Sequence, residues 1–198
     1  MIASSSELGS IALPPPQWAP AASLVDMLRK RHSTREYSSR PLPLEALSAL
    51  LWSAFGINRE ASGGRTAPSA HDWRETDVYA VLAQGAYRYD PAANVLHLAR
   101  AGDLRAATGM QDFVGVAPLD LVYVANFAKM AGANAEERTY FAAADAGVIA
   151  QNVYLFCAAT GLATVVRGLV DRRRLAAALG LAVEQRIVLA QTVGYPAR

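Results

Sequence analysis

Apolar positions recur along this chain with two different periods, and the changes of period mark its elements. Leu24, Met27 and Leu28 stand at helical spacing after Ser23, which predicts a short helix over Ser23 to Lys30 with Ser23 as its N-cap. Pro43 opens a second helix whose apolar face is Leu47, Leu50, Leu51, Ala54 and Phe55. Residues 59–75 read as a polar loop, introduced by Asn58 and rich in turn formers such as Ser62, Gly63, Gly64 and Pro68. The period then falls to two. Val78 to Leu82 reads as a buried strand, and Ala86 to Asp90 and Val95 to Leu98 alternate around Pro91 and Asn94 as a hairpin. A helix is expected near Asp103 to Thr108, followed by a strand over Leu119 to Ala125. A long helix then runs from about Ala135 to Thr160, with Gly161 at the position after its C-terminus. Leu162 to Arg167 reads as a strand, Asp171 caps a helix that stops at Gly180, and Arg186 to Val193 is the last strand.

Helices first, a hairpin next, then strand–helix–strand units predict an α+β sandwich: a central mixed, mainly antiparallel sheet surrounded by helices. One domain is expected over residues 23–198, after an extended N-terminal arm, residues 1–22, stiffened by Pro14, Pro15, Pro16 and Pro20. The stretch Tyr140 to Ala159 is long and apolar, but Asp145, Gln151 and Asn152 interrupt it, and a membrane span tolerates these poorly. It is expected to be a helix buried all round, which in a chain of 198 residues points to a subunit interface.

Composition narrows the function classes. The net charge is only +2 and the basic residues are local, so neither nucleic acid nor a membrane surface is expected as partner. The longest apolar run before residue 23 is Ile11-Ala12-Leu13, far short of a signal peptide. A cytoplasmic protein is expected, with an exported precursor trimmed before Met1 left open. Cys157 stands alone, which excludes a disulfide framework and a cysteine metal site and suggests a buried structural thiol. His32, His71 and His97 lack metal-ligand spacing, so no metal is expected.

Three segments carry candidate chemistry. Arg31, His32, Ser33 and Arg35, with Lys30 and Arg40 beside them, form a cationic run that suits a phosphate dianion. The same cations at a helix C-terminus are also compatible with an ordinary solvated helix end. Gly63-Gly64-Arg65-Thr66-Ala67-Pro68-Ser69-Ala70 is a small-residue loop whose amides can approach a flat ring closely. Gly161 to Gly168 is a strand that ends in a cation and a glycine, and a strand end is a usual ligand position. No GxGxxG, Walker lysine or G-x-S-x-G elbow is present, and Ser69, His71 and Asp72 are too close in sequence to form a triad.

With these segments in hand, the chain resembles the FMN-dependent nitroreductase family, in its branch close to azoline dehydrogenases. The matching elements are Arg31-x-Ser33-x-Arg35-x-Tyr37, Leu50 to Ala54, and Gly64 to Ala70. Ala144-Asp145-Ala146-Gly147 with Ala150 to Tyr154, then Gly161 to Thr164, then Val193 to Pro196 complete the series in family order. The resemblance implies a homodimer with two FMN sites at its interface. Arg31, His32, Ser33 and Arg35 would then hold the phosphate and ribityl chain. Pro68, Ser69 and Ala70 of the partner would line the isoalloxazine, Val166, Arg167 and Gly168 would lie along its N5 side, and Arg198 is the terminal candidate for the phosphate. Trp73, Phe127 and Tyr140 are candidates for an apolar lid over the substrate, and Tyr37 is expected to be structural. Two departures stand out. His71 to Thr76 replaces the family's usual Gly-rich or Leu-Tyr-Pro continuation, and Val166-Arg167-Gly168 stands where better-known members have Glu-Gly.

The implied activity is ping-pong hydride transfer from NAD(P)H through the flavin to an electron-poor small-molecule acceptor such as a nitroaromatic or a quinone. No side chain is required as acid or base. The alternatives are a flavin-dependent dehydrogenase of the azoline type that does not use nicotinamide, and a non-enzymatic flavin- or anion-binding module.

Overall fold

The computed structural model describes residues 9–17 and 23–197. Nine strands and four α-helices follow in chain order: β1 (Ser10–Ala12), α1 (Leu24–Lys30), α2 (Leu44–Phe55), β2 (Ile57–Arg59), β3 (Gly64–Arg65), β4 (Thr76–Leu82), β5 (Gly85–Asp90), β6 (Val95–Ala101), β7 (Leu119–Asn126), α3 (Ala135–Thr160), β8 (Ala163–Arg167), α4 (Arg172–Leu179) and β9 (Gln185–Gly194). Seven strands form one sheet in the order β1-β6-β5-β4-β7-β9-β8, and every pairing in it is antiparallel. β2 and β3 make a separate small hairpin.

Strand alternation builds two cores from this sheet. Val78, Ala80, Tyr87, Tyr89, Leu119, Leu121 and Tyr123 face α2 and α3, meeting Leu50, Leu51, Ile149 and Val153. The intervening Tyr79, Val81, Ala86, Val122 and Val124 face α4, meeting Leu175 and Leu179. The sheet is therefore covered on both faces, and β7 at its centre is buried from Leu119 to Ala125. This is the expected helix–sheet sandwich.

α3 begins in a capping box. The Asn134 side chain accepts from the amides of Glu136 and Glu137, and the Glu137 carboxylate accepts from the Asn134 amide. It ends on Gly161 in the left-handed conformation, φ 73°. Among the described helices α3 alone is long and apolar enough to cross a membrane, yet here it is the central core helix. It is not buried all round within one chain. Tyr140 is 68% exposed and Val148 39%, with Ala143, Ala144 and Gly147 on the same open face.

Two further expectations are corrected. The 103–108 segment is a single 3-10 turn, Arg105–Ala107, because Gly102 and Gly109 bracket a run too short to propagate a helix. Asp103 instead caps the Arg105 amide and pairs with its guanidinium at 2.6 Å. The loop at 59–75 is not featureless: β3 folds back on β2, and the Thr66 amide donates to the Gly56 carbonyl. Within the N-terminal arm, β1 pairs with β6 and covers that edge of the sheet.

Candidate functional site

The cationic run and the β8 segment meet on one hydroxyl. Tyr154, buried on α3, accepts the Val166 amide at 3.0 Å and lies 2.8 Å from Ser33 Oγ. The Thr34 amide donates to the Thr164 carbonyl, and the Arg31 guanidinium lies over the Tyr154 ring, 5.2 Å from its centroid. Tyr37 closes the run from below: its hydroxyl donates to the Thr34 carbonyl, and burial pushes its pKa up. That makes Tyr37 structural, as expected. Arg31 and Arg35 have no carboxylate partner among the described residues. His32 Nδ1 is 2.7 Å from the Lys30 carbonyl, which fixes the ring and leaves Nε2 outward. One guanidinium without a carboxylate beside a fixed hydroxyl, and a second two residues after that serine, fit a phosphate dianion. Lys30, His32, Thr34, Ala158 and Leu162 line a cleft of about 410 Å³ next to this run.

Alternation along β8 divides the run Val166-Arg167-Gly168. Gly168 is exposed and Val166 is half-buried against the core under α3, whereas the Arg167 side chain is 4% exposed and lies on the opposite face of the strand. Its guanidinium bonds Asp120 at 2.8 Å, Thr192 Oγ1 at 2.9 Å and the Thr108 carbonyl at 2.8 Å. The Arg167 side chain is thus engaged inside the fold, which leaves its main chain for the role expected of this segment. Burial pushes Asp120 up against the pull of Arg167 and Thr192, and Asp120 Oδ2 has no partner among the described residues.

The Gly64–Ala70 loop is held elsewhere, by the polar residues that interrupt α3. Asp145 accepts the Ala70 amide at 2.9 Å, and Asn152 donates to the Thr66 carbonyl at 3.3 Å. Ser69 Oγ accepts the Arg74 amide and donates to Glu75, so its hydroxyl is already engaged. No described hydrogen bond joins this loop to the cationic run or to β8. Asp145 and Tyr154 are nine residues apart on one helix, a rise of about 14 Å.

After Ala70 the backbone is strained: His71, Asp72 and Arg74 have φ of 51°, 54° and 49°. Non-glycine residues in this region are sustained only where surroundings over-determine them. Here His71 stacks on Trp73 at 4.5 Å, and both rings meet Phe141, which in turn touches Tyr140. Trp73 and Tyr140 thus share one aromatic patch through Phe141, which sequence reasoning missed. Phe127 is not among its ring contacts; its ring lies by Arg186. Tyr154 was the other omission: it stood inside a quoted motif, and only the fold shows what its hydroxyl joins. Arg198 lies outside the described residues.

Glu75 is fully buried beside this loop, and burial is the main reason its carboxyl is raised; Asp145 adds to the effect. A raised carboxyl favours the protonated folded state, so its ionisation works against folding as pH rises above the usual carboxylate range. Thermal unfolding of Glu75→Gln should therefore gain on the parent between pH 4.5 and pH 8. A gap between the two proteins that stays constant with pH would refute this assignment.

Residues 28–195 match the family model described as the Nitroreductase family. A protein of Methanocaldococcus jannaschii provisionally named a nitroreductase is 33% identical over 155 residues, spanning 73% of this chain and 78% of the relative. The crystal structure of a provisionally named nitroreductase of Ralstonia eutropha JMP134 superimposes with a TM-score of 0.91 at 49% identity, over 96% of this chain and 90% of that one. The NADPH:FMN oxidoreductase of Vibrio harveyi, solved with NAD+, shares the fold at a TM-score of 0.66 and 19% identity, over 88% of this chain and 69% of that one.

Proposed function

The chain belongs to the nitroreductase family, and on that premise we propose that it is an FMN-dependent NAD(P)H oxidoreductase acting as a homodimer. The observation that carries the reading is the junction at Tyr154, where Ser33, the Val166 amide and the Arg31 guanidinium converge, with Arg35 two residues after Ser33 in the same run. When bound, FMN would accept hydride from NAD(P)H and pass it to an electron-poor acceptor such as a nitroaromatic or a quinone, one after the other.

The chain's own part is to bind and orient. Arg31 and Arg35 neutralise the phosphate, with Ser33 Oγ and His32 filling further acceptor positions. Gly168 offers an open face toward the ring and Arg167 only its backbone, while the Val166 amide is held by the Tyr154 hydroxyl. Pro68 is left for a ring, since the Ser69 hydroxyl is held by Glu75 and Arg74, the Ser69 carbonyl by the Asp72 amide and the Ala70 amide by Asp145. The distance along α3 between this loop and the cationic run supports its serving the partner's flavin rather than its own. The exposed apolar residues Leu24, Val25 and Leu28 of α1, together with Tyr140 and Val148 of α3, support a homodimer interface. Trp73, Phe141 and Tyr140 would then limit the acceptor to planar, apolar molecules.

The purified protein should be yellow, its visible flavin band should bleach with NADH or NADPH under nitrogen, and a nitroaromatic should restore the band. A colourless protein that FMN cannot reconstitute would overturn the reading. A flavoprotein that neither nicotinamide reduces would transfer it to the azoline-type alternative.

A further inference from the structure

A second basic cleft lies away from the Tyr154 junction, with a volume of about 180 Å³. Four cations line it, Arg65, Arg74, Arg88 and Lys129, against two acids, Asp77 and Asp90. The acids are already occupied. Asp77 pairs with Lys129 at 3.0 Å, and Asp90 accepts the Ala92 and Ala93 amides and lies 3.4 Å from His97. Arg74 is held at 2.6 Å by Asp72.

Arg65 and Arg88 are left over. Neither has an ion-pair partner among the described residues. Arg65 rests on the Phe55 ring, its centroid 5.2 Å away, and donates one long bond of 3.4 Å to the Phe55 carbonyl. Its Nε is buried without any partner. A guanidinium carries five donors, so this one is largely unsatisfied where water reaches it poorly. Burial, and then the neighbouring Arg74, hold its pKa below the usual value, as expected of a cation crowded by another. An anion in the cleft would relieve both the crowding and the missing bonds. Two free planar forks at a narrow, polar opening match tetrahedral oxyanions better than carboxylates spread along a peptide.

We propose that Arg65, Arg74, Arg88 and Lys129 form an anion site that takes a phosphate group, separate from the Arg31–Arg35 run. No described hydrogen bond or ion pair connects the two. The group arrives either as free inorganic phosphate or as the monoester of a small metabolite.

The test is calorimetric titration of the purified protein, at constant ionic strength and with excess FMN present, so that any flavin phosphate site is already filled. Inorganic phosphate and adenosine 2′-phosphate are the two probes. Arg88 is exposed and unpaired, so Arg88→Gln should fold normally and bind the probes about tenfold or more weakly. Asp77→Asn releases Lys129 from its carboxylate and should tighten binding several-fold. Equal affinity for the two probes would identify the ligand as free phosphate, and a clear preference for the ester would identify it as a metabolite. Absence of binding by either probe, or binding that Arg88→Gln leaves unchanged, would overturn the proposal. Binding that Arg35→Gln abolishes would overturn it as well, since the phosphate would then be sitting at the Arg31–Arg35 run.

Discussion

Replacing Arg167 with Met is expected to destabilise the fold by about 3–5 kcal/mol at neutral pH, because it leaves Asp120 buried without its cation. For a chain of this size that is a fall in Tm of roughly 6–20 °C. The loss should be smaller at pH 5 than at pH 8. Burial pushes Asp120 up to about 7 even with Arg167 in place, and removing the cation raises it further. The folded state then holds a proton that the unfolded chain releases, so stability declines as pH rises from the usual carboxylate range through neutrality. Asp120→Leu combined with Arg167→Met removes both charges and should recover much of the loss. An equal deficit at pH 5 and pH 8 would sink the argument that the ion pair, rather than the packing of the long side chain, is what the single variant destroys.

The second large effect concerns the flavin. If Arg35 holds the FMN phosphate as proposed, Arg35→Ala is expected to cost about 1.5–3 kcal/mol of binding, or roughly a 10- to 150-fold rise in the FMN Kd. Fluorescence of flavin released on dilution measures it directly. Arg35 is exposed and unpaired among the described residues, so the thermal stability of the flavin-free variant should match that of the parent. Retention of FMN as tight as in the parent would remove Arg35 from the site.

Local signals carried most of the fold. The apolar run Val78 to Leu82 and the glycines at 161 and 180 marked a strand and helix ends that the structure reproduces within a residue or two. The 103–108 helix failed for an equally local reason: flanking glycines and a cap at Asp103 that bonds Arg105 rather than starting a helix. What periodicity does not carry is a side chain's distant partner. Ser33 meets Tyr154 across 121 positions, and Arg167 meets Asp120 across 47. The first contact joins two segments that each looked purposeful alone. The second gives the Arg167 side chain a buried carboxylate partner, and alternation along Ala163 to Arg167 already placed it opposite Val166. The strained turn at 71–74 was equally hidden: His and Asp enter positive φ more readily than most residues, but Arg does not, and a run of three is set by the rings packed on it.

α3 carries the anchors of both the Gly64–Ala70 loop and the cationic run, Asp145 and Tyr154, on one uninterrupted helix. Their relative position is therefore counted in whole residues. One residue inserted between them would rotate Tyr154 about 100° away from Asp145, and no neighbouring loop could undo that turn. Length variation within the family should accordingly fall in 59–75 or 102–117 and spare 145–154. Along that stretch the helix acts as a fixed gauge, tolerant of changed side chains and intolerant of changed length.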